Sequence, residues 1–162
     1  MDVRGTFGKL VGELDYPMFI VTARAGDERA GCLVGFCTQS SIDPPRFLVC
    51  LSRKNRTFRV ARSSTWLAVH FVPRRAEALA QLFGGHSGDD VDKFAHCAWE
   101  AGPGGLPILQ ECGNWFVGQI LERLDLGDHG GFLLEPVEAH WEGSESHFEF
   151  HRAKRMEPGH PA

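Results

Sequence analysis

Apolar residues recur along this chain at two spacings, and the spacing changes from one segment to the next. Phe7, Leu10, Val11 and Leu14 stand three or four positions apart, which predicts a short amphipathic helix over residues 4–14. Tyr16-Pro17 ends it. The run MFIVTARA, residues 18–25, predicts a strand, and AGDER its turn. AGCLVGFCTQ, residues 30–39, predicts a second strand, within which Gly31 and Gly35 mark a bend or a close approach to the backbone.

Asp43-Pro44-Pro45 cannot continue a central strand, because proline has no amide donor. It predicts a rigid connector into RFLVCLS, a short and nearly continuous apolar strand. Asn55 is placed to cap a helix running to residue 62, with Phe58 and Ala61 facing inward. WLAVHFV predicts another strand, and RRAEALAQLFG a helix stopped by Gly84-Gly85.

The periodicity fades over residues 84–107. GGHSGDD and EAGPGGLP read as loops around a short helix in DVDKFAHCA, and a long insertion of this kind is often functional. NWFVGQILERLDL and GGFLLEPVEAHW, joined around GDHG, are the last clear strands. The polar, proline-bearing end predicts a disordered tail over residues 152–162, leaving residues 1–151 as a single domain. Strands dominate and short helices fill the gaps, which points to a closed or nearly closed antiparallel barrel with helical caps.

Composition narrows the function. A chain of 162 residues, 43% hydrophobic and 23% charged, can bury one sizeable core. A net charge of -4 argues against a general nucleic-acid binder. No stretch approaches the roughly 18 consecutive apolar residues of a membrane span. The N-terminal stretch lacks a signal-peptide pattern, and none of the five cysteines forms a C-x-x-C pair. These features predict reduced thiols in a cytoplasmic protein.

Three polar groupings carry candidate chemistry. Thr38, Gln39, Ser40 and Ser41 could meet the polar edge of a heterocycle or a phosphate; as a strand end they could equally satisfy their own backbone. Ser52-Arg53-Lys54-Asn55-Arg56-Thr57 leaves an apolar strand and enters a helix. Free amides and basic side chains there suit a phosphate, or simply a capped helix with solvated charges. Neither G-x-x-x-x-G-K-[ST] nor G-x-G-x-x-G is present. Gly127-Asp128-His129-Gly130 reads as a tight turn with a histidine at its tip, able to move a proton near neutral pH or to do no more than close the turn.

Other constellations reduce to structure. His147, Glu149 and His151 alternate in HFEFH but have no obvious further ligand, so an exposed strand face is the expectation and no metal site is assigned. His70 lies in an apolar strand and reads as a core residue. Ser40, Asp128 and His129 exist without a G-x-S-x-G elbow, and Cys37 reads as strand packing.

YPMFIVTA, then AGCLVGFCTQSSIDPPRFLVCLSRKNRT, LAVHFV, LAQLFGG with DKF downstream, and LGDHGGFLLEPVEAH occur in an order and spacing that resembles the flavin reductase-like family. The match runs over residues 14–140, and the Asp-Pro-Pro unit followed by Ser-Arg-x-x-Arg-Thr is its most specific part. Leu33-Val34-Gly35-Phe36-Cys37 stands where that family commonly carries Thr-x-Ser-Ser-Phe.

The resemblance implies a mainly β fold, an antiparallel Greek-key split barrel with short capping helices. It implies FMN, or alternatively FAD, as cofactor, and hydride transfer from NAD(P)H to the flavin. Gly35, Phe36, Cys37, Thr38, Ser40 and Ser41 would line the ring and ribityl chain. Leu51, Ser52, Arg53, Asn55, Arg56 and Thr57 would lie at the phosphate end. His129 would approach the ring edge or the nicotinamide, and Phe94 belongs to a loop that would cover the pocket or reach a partner subunit. It further implies a homodimer and a monooxygenase that receives reduced flavin. A non-catalytic flavin-binding or electron-relay protein, an interaction domain without flavin, and a barrel holding haem or a deazaflavin are the alternatives.

Overall fold

The computed structural model describes residues 2–156; residues 157–162 of the predicted tail lie outside the described residues. In chain order the elements are α1 (Val3–Gly12), β1 (Phe19–Ala25), β2 (Glu28–Val34), β3 (Cys37–Ser41), β4 (Arg46–Ser52), α2 (Arg56–Ala61), β5 (Trp66–Phe71), α3 (Glu77–Gly84), β6 (Trp99–Ala101), β7 (Pro107–Leu109), β8 (Trp115–Asp125), β9 (His129–His140) and α4 (Phe150–Ala153). Single 3₁₀ turns lie at Lys93–Ala95 and Pro103–Gly105.

Seven strands form one sheet in the order β2-β1-β5-β8-β9-β4-β3, and every pairing in it is antiparallel. The β4–β5 connection leaves a gap in the sheet that the later β8–β9 hairpin fills, a Greek-key arrangement.

The single strand predicted over residues 30–39 is two strands. β2 pairs with β1 up to Phe19↔Val34, and β3 pairs with β4 from Cys37↔Val49. These are the two edges of the sheet, so Gly35 and Phe36 carry the chain from one edge to the other and roll the sheet up. The Cys50 N–H donates to the Phe36 carbonyl at 2.9 Å, which continues the β3–β4 ladder one residue toward Gly35. A Cβ at Gly35 would sit 2.8 Å from Tyr16 Cε2 and 3.1 Å from Met18 Sδ, so glycine is needed where the rim closes.

β1 is buried on both faces, which explains its continuous apolar run. Phe19, Val21 and Ala23 point into the barrel with Val49, Leu51, Leu67, Phe132 and Leu134. Met18 and Ile20 point out, into a second core with Leu79, Phe83, Phe94 and Phe148. α2 packs on β1 and β2 and sends Phe58, Val60 and Ala61 into the first core, as the spacing predicts for Phe58 and Ala61.

His70 is wholly buried. Its Nδ1–H donates to the Ile20 carbonyl at 2.9 Å, and its Nε2 accepts from the Leu109 N–H at 3.1 Å. This fixes the tautomer and joins β1 to β7; burial lowers the imidazole pKa to about 4.

Four other expectations are corrected. α3 begins at Glu77, because Pro73 and Ala76 first close a turn. The region of faded periodicity holds the β6–β7 hairpin, and its short helix is only the turn Lys93–Ala95. HFEFH is not a strand: His147 and Glu149 make isolated bridges, Phe148 is buried, and α4 begins at Phe150. The tail does not begin at residue 152, since Arg152 and Ala153 lie in α4 and Met156 packs against the second core. α1 has the predicted spacing and no buried residue.

Candidate functional site

The basic grouping after Ser52 and the histidine turn meet at one end of β4, while residues 38–41 run along β4 toward its other end. Ser52 pairs with His129 across the β4–β9 ladder, so the basic segment that leaves β4 begins beside the histidine. The Arg53 N–H donates to the Asp128 carbonyl at 3.0 Å. Its side chain donates from Nε to the Gly127 carbonyl at 2.8 Å and from Nη2 to Asp125 Oδ1 at 2.5 Å, while the guanidinium lies 5.4 Å from the Phe58 ring centroid. Arg53, expected among the phosphate residues, is therefore engaged in holding the turn that carries His129.

His129 Nδ1 lies 2.7 Å from Asp128 Oδ1. With the proton on Nδ1 donated to the carboxylate, Nε2 is left as the atom available to a ligand. That bond holds the Asp128 carboxyl below its usual range, and the Gly127 N–H together with Arg53 does the same for Asp125. The His129 ring leans on Phe36, with centroids 5.0 Å apart. Phe36 is 56% exposed, an unusual state for a phenylalanine at the closure of a barrel.

Strand alternation sorts the remaining candidates. Residues 48, 50 and 52 of β4 face outward with His129 and Gly131, while Val49 and Leu51 face the core. The Leu51 side chain is therefore packing, and only its backbone lies near the site. Cys37 also packs against the core, where burial pushes its thiol well above its ordinary value. Thr38 pairs with Leu48 and Ser41 with Arg46. They stand four and six residues from Ser52 along β4, about 13 and 20 Å at the rise of a strand. Ser40 and Ser41 thus mark the far end of the face, while Phe36 and Thr38 lie nearer the histidine.

Beyond Ser52 the chain enters α2. Asn55 Oδ1 accepts from the Thr57 N–H at 2.8 Å, as the sequence predicts for an N-cap. Arg56 and Thr57 line a cavity of about 420 Å³ together with Gly31, Gly88, Lys93 and Phe94. Thr57 Oγ1 is buried in the wall with no partner of normal hydrogen-bond geometry, although the Cys32 thiol lies beside it. Phe94 is 7% exposed and packs edge-on to Phe83 and Trp99, so it walls this cavity instead of reaching the His129 turn.

Two contributors were missed by sequence reasoning. Lys93 is buried beside the cavity, although a lysine in a glycine- and aspartate-rich segment reads as solvated. Arg59 grips Asp89 with two bonds, at 2.8 and 2.7 Å, and holds the loop against α2. No periodicity signals either contact; Lys93 does stand in the DKF segment of the family resemblance, downstream of LAQLFGG with Phe83, and that pairing was the available signal.

A family model described as "Flavin reductase like domain" matches residues 11–157. The chain belongs to the flavin reductase-like family. Among this family it is 28% identical over 127 residues to the high molecular weight rubredoxin of Moorella thermoacetica, covering 77% of this chain and 56% of that protein. It is 29% identical over 126 residues to the FMN reductase (NADH) RutF of Klebsiella pneumoniae, covering 78% and 76%. The chain spans about half the length of the first curated relatives it matches. The fold is shared with the Streptomyces globisporus NADH:FAD oxidoreductase, at a TM-score of 0.82 and 23% identity over 91% of this chain and 88% of that one.

The residues present fit a flavin nucleotide, the cofactor that the family implies. The half-buried guanidinium of Arg56 stands at the cavity, 3.7 Å from Glu28, and is the group there that suits a phosphate oxygen. The exposed Phe36 ring offers an apolar surface to an aromatic ring. Ser52 supplies a hydroxyl on the outward face between these ends, and Thr38 supplies one beyond Phe36.

Proposed function

We propose that this flavin reductase-like chain is an NAD(P)H-dependent flavin reductase, with the ring of its flavin beside Phe36 and His129 and the phosphate at Arg56 and Thr57. The observation that carries this reading is the locking of the His129 turn onto Ser52 and Arg53. It brings a titratable group to the start of the segment that leads to the cavity. When bound there, the flavin supplies the hydride acceptor, while the polypeptide supplies position and charge.

Each side chain then has a stated task. Phe36 offers the ring a face. Ser52 donates along the ribityl chain, and Thr38 stands at the ring edge beyond Phe36. Asp128 fixes His129 so that its Nε2 can exchange a proton at the ring edge or orient the nicotinamide. Holding the reactants in register, and not covalent chemistry by the protein, is the main source of acceleration.

FMN is the assigned flavin and FAD the alternative. The partner is a second copy of this chain. Leu124 and Leu126 are 38% and 50% exposed over Gly131, on the outward face that also carries His129, and a homodimer would cover them. Reduced flavin would pass to a monooxygenase. All five cysteines are free, in keeping with a reducing cytoplasm.

An absorption titration with FMN or FAD, followed by NADH or NADPH without oxygen, tests the reading. Bleaching of the flavin bands at a catalytic rate is expected. Flavin binding without NAD(P)H oxidation would leave a flavin carrier, and no binding of either flavin would reject the reading. Light scattering with the same sample reports the dimer.

A further inference from the structure

Lys93 is 4% exposed, a rare state for a lysine without a carboxylate partner. Its ammonium donates to the Gly31 carbonyl at 2.9 Å and to the Phe83 carbonyl at 3.0 Å. It also lies 5.5 Å from the Phe83 ring centroid. Gly31 belongs to β2, an edge strand, so its carbonyl has room to accept from outside the sheet. Phe83 lies in the last turn of α3, where carbonyls lack intrahelical partners. One ammonium thus satisfies a strand edge and a helix end together.

The consequence falls on the cavity. Phe94 follows Lys93 directly, and the Phe94 N–H is held by Asp92 Oδ1 at 3.2 Å. Lys93 joins residue 93 back to residue 83, so it closes the base of the loop over residues 84–92. The Arg59–Asp89 pair holds that loop nearer its middle. Gly88, Lys93 and Phe94 line the cavity together with Arg56 and Thr57, and Gly88 packs directly on the Arg56 side chain. A neutral side chain at position 93 would leave two carbonyls unpaired and free the wall to shift.

We propose that Lys93 is a positioning residue for cofactor binding, which ties β2 and the end of α3 to the Phe94 turn and so fixes the loop that lines the cavity beside Arg56 and Thr57. This rests on the reading of the cavity as the phosphate end of the flavin site. Lys93 acts through Phe94 and the loop, and its effect falls on affinity and not on turnover.

The test compares Lys93→Met with Lys93→Arg, and with Leu79→Ala, which loosens the second core from α3 without removing either Lys93 bond. Melting temperature, FMN Kd by fluorescence titration, and kcat at saturating FMN are measured for each. Lys93→Met is expected to raise Kd at least tenfold while kcat stays within twofold. Lys93→Arg, which keeps two donors, should recover most of the affinity. Leu79→Ala should lower the melting temperature with Kd within twofold.

Should Lys93→Met not fold, Asp92→Ala loosens the same turn from the surface and is expected to raise Kd about threefold with kcat unchanged. The proposal is overturned by a folded Lys93→Met with unchanged Kd, by an equal effect of Leu79→Ala on Kd, or by an Asp92→Ala variant that binds FMN as well as the parent does. If the parent binds no flavin at all, it is the functional reading that fails and not this inference alone.

Discussion

Arg53 on the segment leaving β4 and Gly127 in the β8–β9 turn are joined by a 2.8 Å bond from the guanidinium Nε to the carbonyl oxygen. They are separated by 74 positions in the chain, and the bond sets where His129 sits. A guanidinium that adds a second bond to Asp125 holds a fork geometry that an ammonium cannot copy. Arg53→Lys is therefore expected to lower kcat by about tenfold through misplacement of His129, with FMN affinity changed far less. Steady-state NADH oxidation beside a flavin titration checks this. A loss of affinity with kcat intact would return Arg53 to the phosphate.

His129 itself should matter for turnover more than for binding, because its ring meets Phe36 and its Nδ1 is engaged by Asp128. His129→Ala is expected to reduce the rate of flavin reduction in stopped-flow by about tenfold or more, while Kd for FMN changes only modestly. Asp128→Asn, which weakens the hold on the Nδ1 proton, should give a smaller loss of the same kind. Equal losses of rate and affinity in His129→Ala would reject the assigned role.

Acid should destabilise the fold through His70. Its folded pKa of about 4 lies below the ordinary 6.5 because burial disfavours the charged ring. The unfolded chain binds the proton first, so stability is complete above pH 6.5 and declines as pH falls toward 4. That interval corresponds to roughly 3 kcal/mol at about 1.4 kcal/mol per pH unit. Urea melts at pH 7, 5.5 and 4 should show the decline. His70→Gln, less stable at neutral pH, should show a shallower one.

Gly130 lies against Phe58, and a Cβ there would overlap the Phe58 ring. Because Phe58 packs in the barrel core from α2, the strain has few outlets. Gly130→Ala is expected to cost about 1–3 kcal/mol, read as a lower urea midpoint, and to weaken FMN binding by displacing the start of α2.

Removing the cap at Asn55 is a milder test of the same region. Asn55→Ala frees the Thr57 N–H from its 2.8 Å bond and should cost about 1 kcal/mol of stability. An unchanged melting curve would mean that water replaces the cap in full.

Much of the barrel is legible in local pattern. The apolar runs of β1 and β4, the Asn55 cap and the Asp43-Pro44-Pro45 break depend on neighbours in the chain, and they appear where the local pattern says. The break at Gly35 and Phe36 was legible only as a glycine within an apolar run. Whether such a glycine bends a strand or divides it between two sheet edges depends on what β1 and β4 offer as pairing partners. The same limit hid the β6–β7 hairpin, whose strands of three residues each are too short to show a period.

At the candidate site, the sequence names the residue types but not their duties. By itself it determined the long apolar strands apart from the division at Gly35 and Phe36, the capped start of α2 and a histidine beside a tight turn, because these follow from short-range pattern and backbone chemistry. Only the tertiary structure decided that Arg53 serves the turn, that Leu51 faces inward, that Phe94 walls a cavity and that Lys93 is buried. Each depends on groups brought from tens of residues away, and a charge finds a buried carbonyl only after the chain has closed around it.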